Sequence, residues 1–283
     1  MLTALLVLAL GLEPASYGNE SPATGTPSAQ ADESAARNDN DFDQEAEREL
    51  VRLANEERRK QGLAPLAVDD RLVRAAREHS RLMAGKHLLS HQFSGEPTVV
   101  KRLAATGIRF DRSGENVSLD DSAQGAHVGL MNSPEHRANI LSPDYNAVGV
   151  GVVRHGSQIW VTQDFVRRLE FHTEDEAENI IARNFAQLRR ARGHAPLQRV
   201  QLNDLRQLAC RMAHKGKLDT RGALGLVGSG YSVAFTASEP GDLPSHVRGM
   251  ADRTTISKYA VAACFEASEK YASGVYWVLM VFY

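Results

Sequence analysis

The sequence predicts an α+β fold in which helices pack on an antiparallel sheet. Apolar residues at helical spacing come first, and two strand-like runs follow them, VGVGVV at 148–153 and IWVTQDF at 159–165. The run RHGSQ between them is typical of a hairpin turn. The same order of elements returns in the second half of the chain. With 283 residues, 42% of them hydrophobic, the chain is long enough for about two domains, each with its own core.

The first two helices are defined by their ends. The first helix stops at Gly62, and its Arg58 and Arg59 are expected to be a solvated pair near that end. Asp69 is a suitable N-cap for the second helix. His79 falls on the apolar face of that helix, where we expect a hydrogen-bonded core histidine rather than a ligand.

The later elements are shorter. A third helix is predicted at about 98–106, and SGENVSL at 113–119 is a short extended run. In the stretch MNSPEHRANIL, Ser133 is a helix N-cap and the proline after it takes the first helical position, where a missing N–H costs nothing. This arrangement puts His136 in the first turn of a helix, and the question is whether it caps, packs or does chemistry.

The charge and cysteine content exclude several classes of protein. A net charge of −2 without a basic tract gives no indication of nucleic-acid binding or of attraction to an anionic membrane surface. Two cysteines are too few for a scaffold built on disulfides. Cys210 and Cys264 either pair, as an exported protein allows, or serve as two small buried hydrophobic residues.

The N-terminal segment resembles an export signal. Residues 1–18 contain the apolar run MLTALLVLALGL followed by the small-x-small pattern Ser-Tyr-Gly, although no Lys or Arg precedes the run. Residues 19–43 are rich in small and polar residues and are expected to form a disordered linker. No later stretch is apolar over the roughly 18 residues that a membrane span needs, so no transmembrane segment is expected in the mature protein.

The second half repeats the first. Residues 45–66 and 176–197 start alike, carry paired arginines at the same offset and end in x-Ala-Pro-Leu. IWVTQDF in the first half corresponds to YWVLMVF near the C-terminus. We therefore predict one fold used in two tandem copies, over residues 44–168 and 174–283.

Three polar groups of the first copy are replaced in the second. His91, Glu115 and His136 have other residues at the corresponding positions. The sequence alignment of the two halves gives these as about Thr220, Tyr231 and about Asp252. Because the apolar pattern is kept while all three polar groups change, they are predicted to form one site that only the first copy has.

Two imidazoles and a carboxylate suit a divalent metal with open coordination positions, and they equally suit a hydrogen-bonded polar cluster in a cleft. The residues are far apart in sequence, so no local ligand motif favours the metal. The helix N-terminus beneath His136 disfavours a protonated ring and suits a neutral ligand or a bound anion. Both alternatives remain open at the level of the residues.

Five motifs in order resemble one known family. They are N-x-x-R-x-x-x-G-L-x-P-L, L-x-S-H, G-E-N, S-P-x-H-R and a G-V-G-V hairpin that ends in W-V-T-Q-x-F. Together they resemble the CAP superfamily, also called SCP-like, in its bacterial YkwD-like branch. The resemblance covers about residues 45–167, and a weaker one reaches 175–283 through the internal repeat.

The resemblance implies an α–β–α sandwich, usually exported, with a cleft tetrad of two His and two acids that can hold a divalent cation such as zinc. His91, Glu115 and His136 match three members of the tetrad and are the metal ligands that the resemblance implies. The fourth member falls near Ser133, where eukaryotic relatives have Glu, and Glu135 is only a neighbour in sequence. The extra disulfides of the family are missing.

Two functions fit these observations. The first, which we favour, is a non-enzymatic, secreted or periplasmic (cell-envelope) binding module for a lipid, a sterol or a cell-envelope glycan. The alternative is a metal-dependent hydrolase in which His91 and His136 hold the metal and Glu115 is the general base. The sequence lacks G-x-S-x-G and H-E-x-x-H motifs, and Ser133 is a poor nucleophile because its hydroxyl is expected to cap a helix. No catalytic residue is assigned.

Overall fold

The computed structural model of the chain describes residues 41–283. The predicted signal peptide (1–18) and residues 19–40 of the predicted linker lie outside the described residues. Within the described part, no helix combines the length and the apolar character needed to cross a bilayer.

The folded body begins before residue 44, because residues 41–43 pack on it. Phe42 forms an antiparallel bridge with Val153, and its ring lies 4.6 Å from the guanidinium carbon of Arg81. The Asp43 side chain accepts from the Ala46 amide and caps the first helix. The composition of these three residues predicts a linker, because composition alone does not reveal that the single aromatic ring packs on the fold.

The first half follows the predicted order of elements. Between residues 41 and 168 its elements are α1 (Gln44–Lys60), β1 (Ala67–Val68), α2 (Asp70–Lys86), α3 (Val99–Ala105), β2 (Phe110–Asp120), α4 (Ala123–Asn132), α5 (Pro134–Ile140), β3 (Ala147–His155) and β4 (Gln158–Arg168). The sequence did not indicate β1, which is two residues long, or α4. The two glycines of α4 weaken its helical signal.

These elements make three layers, which is the α–β–α sandwich that the resemblance implies. The strands form a sheet in the order β1-β3-β4-β2, with β1 parallel to β3 and the other pairs antiparallel. α1, α4 and α5 pack on one face of the sheet, and α2 and α3 pack on the other. β2 is an edge strand, so its side chains and the loops beside it can reach solvent.

The second half has the same topology. Its elements are α6 (Glu174–Ala191), β5 (Gln198–Arg199), α7 (Asn203–Lys215), a 3₁₀ turn (Leu224–Leu226), β6 (Tyr231–Ala237), α8 (Ser245–Met250), β7 (Lys258–Glu266) and β8 (Val275–Phe282). The sheet order β5-β7-β8-β6 is the order of the first sheet, strand for strand. α6 and α8 pack on one face of it, and α7 packs on the other.

A buried arginine makes the same contacts in both halves. Arg58, only 1% exposed, donates hydrogen bonds to the carbonyls of Ala64, Ile140, Ser142 and Tyr145. Arg189 donates in the same way to the carbonyls of Ala195, Ala251 and Arg253. The expectation of a solvated pair is therefore wrong for Arg58, although Arg59 is exposed. Each arginine ties the first helix of its half to the end of the last helix before the hairpin, α5 or α8, and to the loop that follows it.

An arginine paired with a buried glutamate also recurs. Glu47 of α1 receives Arg77 of α2 through both carboxylate oxygens and accepts from the Val152 amide. Glu178 of α6 receives Arg206 of α7 and accepts from the Ala263 amide. These equivalent hydrogen bonds show which residues of the two halves correspond, even where the sequences differ.

These equivalences correct two of the residue pairings taken from sequence. In the first half Glu115 of β2 lies opposite Asp164 of β4. The equivalent pair in the second half is Ser232 of β6 opposite Val281 of β8. Glu115 thus corresponds to Ser232, not to Tyr231. A one-residue slip is invisible in short apolar strands, but it moves a side chain to the other face of the sheet.

The residue that corresponds to His136 is also different from the one paired with it by sequence, by more than one position. Ile140 and Ala251 offer equivalent carbonyls to the two buried arginines, and counting back from them places Val247 where the first half has His136. The sequence pairing with Asp252 is wrong because that helix has little local similarity in the two halves. All three polar groups are still replaced in the second half.

The two halves contact each other through a second buried arginine. Arg109 donates to the carbonyls of Glu170 and Ser238 and to the Tyr276 hydroxyl. Its guanidinium also lies over the rings of Phe265 and Tyr276, at 4.7 and 5.0 Å. Residues 41–283 consequently form one compact body, with polar contacts between its halves.

Cys210 of α7 and Cys264 of β7 form a disulfide, with their sulfurs 2.12 Å apart and their Cα atoms at 5.1 Å. Of the two alternatives for these residues, the structure has the pair. The bond lies wholly in the second half and ties the helix of one outer layer to its sheet.

Candidate functional site

His91 and Glu115 meet at the edge strand β2. Glu115 points to the face covered by α2 and α3, as its neighbour Val117 does, and its carboxyl is buried. His91 lies in the loop after α2, and its Nδ1 donates to Glu115 Oε1 over 2.8 Å. The His91 side chain remains 55% exposed. The structure thus brings together two of the residues that the sequence singled out.

Arg102 of α3 completes this contact, and sequence reasoning missed it. Its guanidinium donates to the second oxygen of Glu115 and lies 3.2 Å from Glu96 Oε1. The same side chain also donates to the His91 carbonyl over 3.1 Å. Both oxygens of Glu115 are therefore engaged by side chains of the protein itself. We call His79, His91, Glu96, Arg102 and Glu115 the cleft network.

His79 closes the buried end of the cleft network. Its Nδ1 contacts Glu96 Oε1 at 2.7 Å, and its Nε2 contacts the Ser90 carbonyl at 2.8 Å. Both ring nitrogens of His79 therefore face oxygen acceptors. The prediction of a hydrogen-bonded core histidine is confirmed, and the ring additionally fixes the loop that carries His91.

Asp164 lies beneath the cleft network and was also missed. It is fully buried on β4, directly opposite Glu115 in the strand register. Neither of its carboxyl oxygens has a hydrogen-bond partner among residues 41–283. Burial, and then the negative charge of Glu115, raise the pKa of Asp164 well above its ordinary value. Burial and the nearby Glu115 charge therefore favour the neutral carboxylic acid of Asp164 over the carboxylate.

Replacing Asp164 by asparagine should raise stability at neutral pH. An aspartate whose folded-state pKa is raised binds more protons in the folded than in the unfolded protein, so the parent loses stability as pH rises above about 4, the ordinary aspartate value. Asp164→Asn removes that loss. Urea unfolding from pH 4 to pH 8 should show a free energy of unfolding that falls less steeply with pH in the variant. Equal slopes in both proteins would contradict the assignment.

His136 lies beside this network, not within it. Its carbonyl accepts from the Asn116 side chain over 3.1 Å, and Asn139 of the same helix donates to the Glu115 carbonyl over 3.2 Å. The His136 ring makes no hydrogen bond or ion pair with the rest of residues 41–283. Ser133 does occupy the N-cap position of α5, but its side chain makes no capping hydrogen bond, contrary to expectation.

The residues do not fit a divalent metal in this arrangement. Across residues 41–283 no group of three or more His, Cys, Asp or Glu side chains is placed to hold a metal ion. Glu115, one of the three ligands that the resemblance implies, has its oxygens on His91 and on Arg102. A guanidinium in contact with a carboxylate takes the place that a metal cation would need.

Comparison with known proteins finds relatives that are similar to less than half of this chain. YkwD of Bacillus subtilis, an uncharacterised protein, is 39% identical over 121 residues, which are 42% of this chain and 46% of that protein. YlbC of the same organism, an uncharacterised membrane protein, is 33% identical over 124 residues, 44% of this chain and 35% of YlbC. The chain thus matches less than half the length of either relative.

A solved structure is also similar. An extracellular protein of Bacillus anthracis that contains an SCP domain is 29% identical, with a TM-score of 0.41, over 44% of this chain and 41% of that one. The sequence model of the cysteine-rich secretory protein family, CAP, matches residues 51–165. Those residues span α1 to β4 and include the whole cleft network. Residues 51–165 are therefore the part of this chain that matches the CAP domain of the cysteine-rich secretory protein family.

Proposed function

We propose that the protein is an exported binding module that holds a cell-envelope lipid at the cleft network. One observation carries the proposal: Glu115 is engaged at both oxygens, by His91 and Arg102, so that this carboxylate is not free to act as a general base. A closed network of this kind can hydrogen-bond a polar head group through its exposed parts, chiefly the His91 ring.

Exposed aliphatic side chains next to the cleft network support a lipid in preference to a glycan. Leu88 and Leu89 precede His91 and are 57% and 43% exposed, and Val100, two residues before Arg102, is 44% exposed. Large apolar side chains grouped beside polar groups are typical of surfaces that contact another molecule. An acyl chain on these residues would leave the head group beside His91.

Export is supported by the disulfide and the N-terminal pattern. Disulfides form and persist in oxidising compartments outside the cytosol, and Cys210 and Cys264 are paired. The apolar run within residues 1–18 is typical of a signal peptide. We therefore place the mature protein outside the cytoplasmic membrane, secreted or in the cell envelope.

The second half fits a supporting role. We propose that residues 174–283 are a degenerate copy of the CAP fold. They keep the buried arginine and ion pair, while Thr220, Ser232 and Val247 stand where the first half has its polar groups. Such a copy can present the first half to the envelope but has no cleft network of its own.

The lipid proposal is tested by co-sedimentation with vesicles of phosphatidylglycerol and phosphatidylethanolamine. The parent protein should bind, and Leu88→Ser combined with Leu89→Ser should weaken binding at least about tenfold, since burying one leucine is worth about 1.5–3 kcal/mol. Val128→Ser is the matched control, because Val128 is similarly exposed but belongs to α4, on the other face of the sheet.

Two results would contradict the lipid proposal. One is binding by the leucine variant that equals the binding of the parent and of the control. The other is no vesicle binding by the parent together with binding of soluble cell-wall glycan fragments. Metal-dependent hydrolysis, the alternative from sequence, has less support because Glu115 would first have to lose Arg102 before it could act as a base.

A further inference from the structure

We propose that Arg102 is the resident cation of the cleft and that it excludes a divalent metal from His91 and Glu115. The proposal concerns the charge of the same site as the proposed function. It holds whether or not a lipid binds there, and its test can fail independently of the vesicle experiment.

Arg102 is fixed in place by acceptors on several sides. Its side chain is nearly buried and contacts carboxylates of both Glu96 and Glu115. Backbone carbonyls of His91 and Pro97 accept from the same nitrogen, at 3.1 and 3.5 Å. A planar guanidinium with several fixed acceptors is pre-organised and does not swing away without leaving each of them unpaired.

The carboxylates of the cleft network are already engaged by side chains of the protein. Glu115 receives Arg102, and Glu96 receives both Arg102 and the His79 ring. Metal sites built from His and acidic side chains need carboxylate oxygens and ring nitrogens that are free to bind the ion. Here both Glu115 oxygens are occupied, one by the His91 Nδ1 and the other by Arg102, so that the carboxylate has no free oxygen for an ion, while Nε2 of His91 stays open.

A metal could bind Glu115 only by displacing the guanidinium from its oxygen. The displaced Arg102 would keep its charge, because arginine does not deprotonate in proteins, and it would lie next to the incoming dication. This like-charge contact in a nearly buried place is unfavourable. Arg102, which lies outside the residues that the family resemblance points to, thus decides whether this CAP domain takes a metal.

The test is a zinc titration by calorimetry on purified, chelator-treated protein. The parent should show no one-to-one binding that depends on His91. Arg102→Met, which keeps the length of the side chain but removes its charge, should bind zinc more tightly by about 10- to 100-fold, the size of effect that neighbours of a metal site exert. Adding His91→Ala to Arg102→Met should abolish that gain.

Lys101→Met is the matched control, because it removes one positive charge from the same helix at an exposed position. It should bind zinc no better than the parent. If Arg102→Met does not fold, Arg102→Lys keeps a charge that can contact one carboxylate and should still exclude zinc.

Tight one-to-one zinc binding by the parent that is lost in His91→Ala would overturn the inference. So would zinc binding by a folded Arg102→Met that is no better than that of the parent. Vesicle binding by the parent is measured with and without a chelator, to separate zinc exclusion from the proposed lipid binding. The inference requires that the chelator leaves vesicle binding unchanged.

Discussion

Gly151→Ala is expected to destabilise the protein by about 3 kcal/mol or more, at the upper end of what overpacking costs. A Cβ on Gly151 would lie 2.2 Å from the Arg77 nitrogen and 2.4 Å from the Ala76 carbonyl carbon. Both atoms belong to the backbone of α2, so no side-chain rotation can relieve the overlap. The helix would have to move away from the sheet. Urea unfolding of the variant and the parent measures the loss.

Gly85→Ala is the matched control for this prediction. Gly85 lies in α2 itself, and a Cβ there meets nothing within 4 Å. Alanine in a helix is favoured over glycine by about 0.5–1 kcal/mol, so this variant should be at least as stable as the parent. Equal behaviour of the two variants would contradict the close packing of α2 on β3, which is the physical reason for the glycines of the VGVGVV strand.

Arg58→Met is expected to destabilise the protein by about 3–5 kcal/mol, as the loss of one partner from a buried charged network does. The guanidinium holds four backbone carbonyls, two of them after α5, and methionine would leave all of them without this donor. Hydrogen bonds from a charged group are individually strong, and an unsatisfied buried carbonyl adds its desolvation cost. Chemical unfolding monitored by circular dichroism measures the difference.

The neighbouring residue supplies the control for Arg58. Arg59 is exposed, and among residues 41–283 its one ion pair is a long contact of 3.8 Å with Glu56, so Arg59→Met should change stability by less than about 0.5 kcal/mol. Arg58→Lys should not restore the parent's stability, because a single ammonium cannot reproduce the fork of donors. Similar losses for Arg58→Met and Arg59→Met would contradict the account.

Elements whose signal is local could be predicted from the sequence. Gly62 and Asp69 mark the end of α1 and the start of α2, and Gly156 marks the turn of the β3–β4 hairpin, because helix ends and turns depend on neighbouring residues. The burial of Arg58 could not be predicted locally, since its acceptors after α5 are far away in sequence. The recurrence of paired arginines at the same position of both repeats was the signal that one of them is buried, because a solvent-exposed pair has no structural reason to recur.

The candidate site was predicted only in part. The motifs placed His91 and Glu115 together, and the structure has them in contact. Arg102 and Glu96 carry no motif, because a helix and a loop bring them to the site only in three dimensions. Asp164 did leave a signal, a charged residue inside the mostly apolar run IWVTQDF, whose pattern predicts only a strand. A buried acid in such a run indicates a partner or a raised pKa.

A crystal of the full protein grown in zinc, with anomalous diffraction at the zinc edge, tests the central claim most directly. The account predicts Arg102 in contact with Glu115, Nδ1 of His91 on the other Glu115 oxygen, and no zinc peak at either residue. A zinc ion bound by His91, Glu115 and His136, with Arg102 displaced, would contradict it and would restore the metal site that the family resemblance implies.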